Sequence, residues 1–327
     1  MVIIHHEDLM EHDHWPDHPE SPYRLRSIRK RLMQEGLWQN VEAPPTLQDE
    51  DLLRVHSTDL VQQIRKGGNM PLDADTMLKD HTFDLAKLSA EVTAEAARRA
   101  SRGEMAFALT RPPGHHASAC KAGGFCYFNN AAVAACRLGL RTAIVDLDAH
   151  HGDGTESIFY QRDDVLFISL HQFDQYPGTG SVDCQGEGDG LGYNVNIPMP
   201  RGAGNVAYTQ AFDQVAMPIM KQFAPDLLIV SLGVDAHYSD TMSSLSLNTP
   251  GYLSLCRRLM DFMDNRDVAF ILEGGYHLRS TAEVVAGVIS AFRGEGVYHE
   301  YAEEIEEPSA VESILMARKE HGKHWTL

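Results

Sequence analysis

Six short runs of nearly unbroken apolar character limit what this chain can fold into: MAFALT (105–110), TAIVDLD (142–148), VLFISLH (165–171), YNVNIPM (193–199), DLLIVSLGVD (226–235) and VAFILEGGY (268–276). A strand with one wet face alternates polar and apolar residues, so runs without alternation belong to strands covered on both faces. Stretches with helical spacing lie between and around them, at 21–37, 84–102, 129–138, 204–223, 250–264, 280–293 and 309–319. The alternation predicts a parallel α/β sheet with helices on both sides. The loops at 67–82, 172–192 and 236–250 are polar and Gly-rich but too short to separate domains. Residues 1–327 read as one domain.

In an open α/β sheet, ligands bind beyond the carboxyl ends of the strands. Here MAFALT leads to His115 and His116, TAIVDLD to Asp148 and His150, DLLIVSLGVD to Asp235, and VAFILEGGY to Tyr276. Neighbouring side chains of a regular strand point to opposite faces, but Pro112, Pro113 and Gly114 supply irregular backbone that lets both imidazoles of RPPGHHA face one cavity. The densest cluster is DLDAHHGDG (146–154), which holds Asp146, Asp148, His150, His151 and Asp153. Asp148 and His150, two positions apart at a strand end, share a face and can hold one metal ion, with Asp235 the best-placed third ligand. One imidazole and two carboxylates leave a coordination position open, as hydrolytic zinc requires, whereas calcium prefers roughly six to eight oxygens.

Composition removes several classes. With 46 acidic against 28 basic residues the net charge is −18, which argues against a nucleic-acid partner and favours cationic ligands. No apolar run approaches the roughly 18–20 residues of a membrane span, and the N-terminus turns acidic and histidine-rich where a signal peptide would stay apolar. Five cysteines at irregular spacing form no disulfide framework, so a reducing, cytoplasmic location is expected, with Cys126 a buried wall residue. The histidines of HHEDLMEHDHWPDH (5–18) read as a mobile acidic entrance loop, with a surface metal site as the alternative. EYAEEIEEPSAVE (300–312) reads as a solvated face and turn before the final helix. His237 is expected to orient neighbours or face solvent, since three ligands suffice for catalytic zinc.

The motifs RPPGHHA, GGFCYFNNAA, DLDAHHGDGT, SLHQFDQYPGTG, VSLGVDA and LEGGY, in this order and with HPESPYRL (18–25) ahead of them, resemble the histone deacetylase family. The RPPGHHA and EGGY forms are similar to its class II branch, including bacterial deacetylase-like amidohydrolases. The resemblance covers most of the chain and implies the arginase/deacetylase fold, one domain around a central parallel sheet of about eight strands flanked by helices. It also implies an amidohydrolase that uses one zinc ion, or ferrous iron, to remove acyl groups from amines. On the family pattern Asp148, His150 and Asp235 hold the metal. His115 and His116 flank the attacking water, with Asp146 and Asp153 as their respective partners, and Tyr276 faces the substrate carbonyl. Gly124 and Phe125 match the tunnel wall, joined by Tyr176 where much of the family has phenylalanine. Arg24 matches the arginine behind the acetate exit. Ser169, with carbonyls near Asp146 and Asp148, resembles a structural potassium site.

These residue types suit the chemistry. An amide carbonyl is a poor electrophile and water a poor nucleophile, and a zinc ion addresses both. His116 is assigned to move the proton from water to the leaving amine, while His115 acts electrostatically. A carboxylate on the far nitrogen fixes each ring's tautomer. The Tyr276 hydroxyl, placed by Gly274 and Gly275, donates to the oxyanion. Asp153 stands where many class II members carry asparagine and favours a more basic His116. The expected substrate is acetyl-lysine in proteins or peptides, or a related small amide, with acetylpolyamines as the alternative. Polyamine-selective relatives often place a glutamate seven residues after the last metal aspartate; Met242 occupies that position here. A ureohydrolase would need an aspartate two after the histidine, where Gly152 stands. A non-catalytic acyl-lysine binder would lack Tyr276, a ligand or the histidine pair, and all are present. A partner chain could narrow the tunnel if the protein forms oligomers.

Overall fold

The continuous apolar runs become buried strands of one eight-stranded parallel sheet. The computed structural model describes residues 1–294 and 307–327. Its sheet contains β1 (Val2–Ile4), β2 (Val41–Glu42), β5 (Ala106–Ala108), β6 (Thr142–Asp146), β7 (Val165–Gln172), β8 (Asn194–Met199), β9 (Leu227–Leu232) and β10 (Val268–Leu272). The order is β2-β1-β5-β10-β9-β6-β7-β8, every neighbour parallel. A separate antiparallel ribbon pairs β3 (Met70–Pro71) with β4 (Met77–Leu78). All residues of β6, β7, β9 and β10 are buried, as expected where both sheet faces are covered.

The helices are α1 (Tyr23–Gln34), α2 (Asp49–Leu53), α3 (Thr58–Lys66), α4 (Thr82–Ala100), α5 (Asn130–Leu138), α6 (Asp153–Phe159), α7 (Asn205–Ala211), α8 (Met217–Phe223), α9 (Thr249–Phe262), α10 (Leu278–Phe292) and α11 (Val311–His321). Helix α4 lies across β1, β5 and β10 and packs on α5, while α10 packs on both α1 and α9. None of the described helices is long and apolar enough to cross a membrane.

The register decides where the chemistry sits. Ala108, Ile271, Ser231 and Asp146 form one row across β5, β10, β9 and β6. These four strands are consecutive in the sheet, so the segments that follow them emerge side by side.

Several local readings change. β1 and β2 are only three and two residues long, too short for a periodic signal. Helices α2 and α3 lie outside the expected set, although Ser57 caps α3 by accepting the Leu60 N–H at 3.2 Å. The stretch 204–223 is not one regular helix: a π-helical turn, Phe212–Ala216, separates α7 from α8. Pro218 explains it, because a proline lacks the N–H for the regular ladder and its ring crowds the carbonyl four residues back. Of the acidic stretch 300–312, residues 300–306 lie outside the described residues. Glu307 faces protein instead of solvent and accepts the N–H groups of Gly204, Val206 and Ala207 at 2.9–3.0 Å, capping α7.

The N-terminal histidine-rich stretch is built into the fold, which overturns the reading of a mobile loop. Glu7–Glu11 forms a 3-10 turn, and His5, His12, His14 and His18 are buried. Its anchor is Glu20, fully buried and paired with Arg111 (2.5 and 2.9 Å) and Arg24 (3.3 Å). His12 and His14 approach Glu20 Oε2 at 3.8 and 3.5 Å. Two guanidinium groups against one carboxylate leave this pocket net positive, which disfavours a metal cation there. His14 Nδ1 also accepts the Met77 N–H at 3.3 Å, so its ring proton sits on the nitrogen that faces Glu20.

Candidate active site

At the carboxyl edge of the four central strands, His150 Nδ1 lies 3.0 Å from Asp148 Oδ1 and 3.0 Å from Asp235 Oδ2. Metal–ligand bonds of about 2.0–2.2 Å at tetrahedral angles put ligand atoms a little over 3 Å apart, so the three atoms fit one transition-metal ion. The donor set, one imidazole and two buried carboxylates, suits zinc or ferrous iron better than calcium. Burial opposes charge on His150, but Asp235 and Asp148 outweigh it and raise its pKa to about 10. Metal binding there must displace a proton. Asp235 is pushed up to about 7 by burial and by Asp148.

The two adjacent histidines turn to the same side, ring centroids 4.0 Å apart. His115 Nδ1 pairs with Asp146 Oδ2 at 3.0 Å, and His116 Nδ1 with Asp153 Oδ1 at 2.7 Å. Their environments separate them. Burial works against a charge on His115, yet Asp148 and Asp146 prevail and hold its pKa well above the usual histidine value. Burial and the neighbouring His115 lower His116 to about 4, and the opposing pull of Asp153 does not compensate. Asp153 therefore makes His116 more basic than it would otherwise be, but this does not lift the ring above an ordinary histidine.

Tyr276, four residues past β10, is half-buried, and Phe125 stands against it with centroids 5.8 Å apart. Burial pushes the phenol pKa well up, so the hydroxyl keeps its proton. Gly124 and Phe125 both adopt left-handed backbone (φ 56° and 68°), which is uncommon for a bulky residue such as Phe125. Asp73 and Thr76 hold this strained wall by accepting the Gly124 and Phe125 N–H groups, each at 2.9 Å. A Cβ at Gly124 would lie 2.7 Å from His116 and 2.8 Å from the Tyr176 hydroxyl, so a side chain there would close the passage. A Cβ at Gly152 would lie 2.4 Å from Asp146 Oδ2. No aspartate fits, which removes the second-metal ligand of a ureohydrolase.

These groups line a cleft of about 320 Å³ that contains His116, His150, Phe125, Tyr176, Met242 and Tyr276. A larger, shallower groove of about 640 Å³ between residues 7–11 and α1 brings together no comparable set of catalytic groups. Arg24 sits behind Tyr276, its guanidinium carbon 5.0 Å from the ring centroid, and donates to the carbonyls of Gly275 (2.6 Å) and Glu273. Ser169 is buried, and its hydroxyl lies 2.9 Å from His171 Nδ1. Cys126 is buried and all five thiols are free. His237 turns inward, its Nδ1 2.8 Å from Ser239 Oγ.

Of two further acids at the site, Glu273 carries no functional assignment from the sequence, and Asp240 reads there, with Asp73 and Asp75, only as an acid that could recruit cations. Glu273, pushed up to about 7 by burial, accepts the N–H groups of Gly114 (2.7 Å) and His115 (3.3 Å), which ties the histidine turn to the end of β10. Asp240 is buried and does not present its carboxylate to solvent. The available signal was a carboxylate embedded in an apolar run, FILEGG, where only a buried acceptor role is tolerable.

A parallel α/β sheet that brings a candidate metal-binding triad, a carboxylate-backed histidine pair and a tyrosine to its carboxyl edge has the parts that a metal-dependent hydrolase requires. Residues 18–292 match the histone deacetylase domain. The chain belongs to the histone deacetylase family and is a hydrolase acting on amides. It is 39% identical over 311 residues to a probable deacetylase of Archaeoglobus fulgidus, covering 89% of this chain and 86% of that protein. It is 35% identical over 300 residues to the histone deacetylase-like amidohydrolase of Pseudomonas aeruginosa, covering 84% of this chain and 79% of the relative. The crystal structure of the HDA15 HD domain superposes with a TM-score of 0.92 at 33% identity, over 99% of this chain and 94% of that one.

Proposed function

We propose that this protein is a zinc-dependent deacetylase acting on acyl-lysine in proteins or peptides. The observation that carries this reading is the convergence of His150, Asp148 and Asp235 at the floor of a narrow cleft that His116 and Tyr276 also line. When bound, the ion would polarise the amide carbonyl and acidify a water molecule. His116, neutral near pH 7 and backed by Asp153, takes the water proton and delivers it to the leaving amine. His115, kept cationic by Asp146 and Asp148 until a metal neutralises part of their field, stabilises negative charge nearby. Tyr276 donates its hydroxyl proton in a hydrogen bond to the oxyanion.

Met242 at the cleft mouth offers a charged amine no carboxylate, which favours a lysine side chain followed by a peptide backbone. The opposing observation is Asp75, exposed at the same rim, which keeps acetylpolyamines as the second reading. A potassium ion beside Ser169 belongs to the proposal, because a hydroxyl that donates to His171 keeps its oxygen lone pairs free. Five free thiols support a reducing compartment such as the cytoplasm.

The test is kcat/KM of zinc-loaded and metal-stripped protein on an acetyl-lysine peptide, N-acetylputrescine and N8-acetylspermidine. The peptide is expected to be preferred and the stripped protein inactive. Preference for the polyamines would transfer recognition to Asp75 and its neighbours, and full activity after verified stripping would refute the metal assignment.

A further inference from the structure

Asp240 follows Asp235 by five residues, in the loop that also carries Met242, and is 5% exposed. Its side chain is spent on backbone amides from two loops. Oδ2 accepts the N–H groups of Tyr276 (2.6 Å) and His277 (2.8 Å), and Oδ1 accepts the N–H of Met242 (3.0 Å). Ser239 adds a second tie between the same loops, with its hydroxyl 3.0 Å from His277 Nδ1 and 2.8 Å from His237 Nδ1.

The Tyr276 N–H and the Gly275 carbonyl are opposite ends of one planar peptide unit. Arg24 Nε donates to that carbonyl at 2.6 Å, so the peptide is gripped at both poles. The grip matters because Gly275 has a φ of 115°, a region closed to most side chains, and glycine resists peptide rotation least. Released at its amide end, the plane could turn and carry the Tyr276 Cα and ring away from the cleft floor.

We propose that Asp240 is a positioning residue: with Arg24 it fixes the Gly275–Tyr276 peptide, and through Met242 it couples the cleft mouth to the hydroxyl that stabilises the oxyanion. The inference rests on the deacetylase reading for its kinetic consequence but not for its structural one. A misplacement of about 1 Å in a catalytic group costs on the order of 100-fold in rate.

The experiment combines Asp240→Ala and Asp240→Asn with Tyr276→Phe. Asp240→Ala is expected to lower kcat by about 10- to 100-fold with KM within about threefold. In the Tyr276→Phe background the same change should cost less than about threefold, since the hydroxyl it places is already gone. Asp240→Asn keeps one acceptor oxygen and should fall between wild type and Asp240→Ala, which protects the test if the alanine variant folds poorly. Hydrogen exchange of metal-loaded protein should show faster exchange in segments 240–244 and 273–279 of both Asp240 variants and no change elsewhere. Equal kcat losses in both backgrounds, or unchanged exchange in the two segments, would overturn the proposal. If wild type turns over none of the acyl substrates, the deacetylase reading fails separately, and exchange alone decides the clamp.

Discussion

Asp153 accepts from His116 at 2.7 Å, a contact that asparagine could make without the charge. As the proposed base, His116 must be unprotonated to act, so activity should be present above its pKa and lost as pH falls through it. With His116 lowered to about 4 by burial and His115, the acid limb of kcat/KM should lie below the ordinary histidine value near 6.5. Asp153→Asn removes a group that raises His116, so the limb should move lower still and kcat should drop by roughly 10-fold as the base weakens. A pH profile of both proteins checks this, and a limb above 6.5 in wild type would contradict it. Tyr276→Phe should lower kcat about 100- to 1,000-fold while leaving substrate affinity nearly unchanged. At this scale the convergence of Asp148, His150 and Asp235 and the histidine pair were legible because strand-end spacing and residue type announce them. Glu273 and Asp240 were not, because they serve backbone amides, and an amide leaves no mark in the sequence at the position that uses it.

Among the elements, long buried strands and amphipathic helices were readable, whereas β1 and β2 contain too few residues for any period to show. The π-helical turn before α8 has its cause in Pro218, a visible residue whose consequence for a helix is local. Glu307 is different: it caps α7 from about 100 positions away, accepting three amides. Replacing it with alanine leaves those N–H groups without their acceptor and should cost about 1 kcal/mol. Urea denaturation should show a lower midpoint with an unchanged slope, and an unchanged midpoint would mean that water replaces the carboxylate fully.

For the molecule as a whole, Glu20 is the joint between the N-terminal stretch, α1 and the exit of β5, through His14, Arg24 and Arg111. All three partners and Glu20 itself are buried, so removing the carboxylate strands two guanidinium groups away from water. Glu20→Gln should destabilise by about 3–5 kcal/mol, measured by chemical denaturation. Burial opposes its ionisation, but Arg111 and its neighbours hold the Glu20 pKa well below the ordinary 4.5. A depressed carboxylate contributes stability that is present above its unfolded pKa and lost as pH falls toward the folded one. Wild type should therefore lose stability below about pH 4.5 more steeply than Glu20→Gln. Parallel slopes would show that the pair does not govern the acid limb.

The sequence by itself determined what depends on neighbours along the chain: the alternation of buried strands and helices, the placement of Asp148 and His150 on one face, and the irregular backbone that turns His115 and His116 together. Only the tertiary structure decided which strands lie side by side, and so which ends meet. Asp235 reaches His150 from 85 positions away, and Glu273 reaches Gly114 from 159. It also decided that the N-terminal histidines are buried. That outcome depends on a carboxylate whose charge could leave water only because two guanidinium groups, four and 91 residues away, close around it.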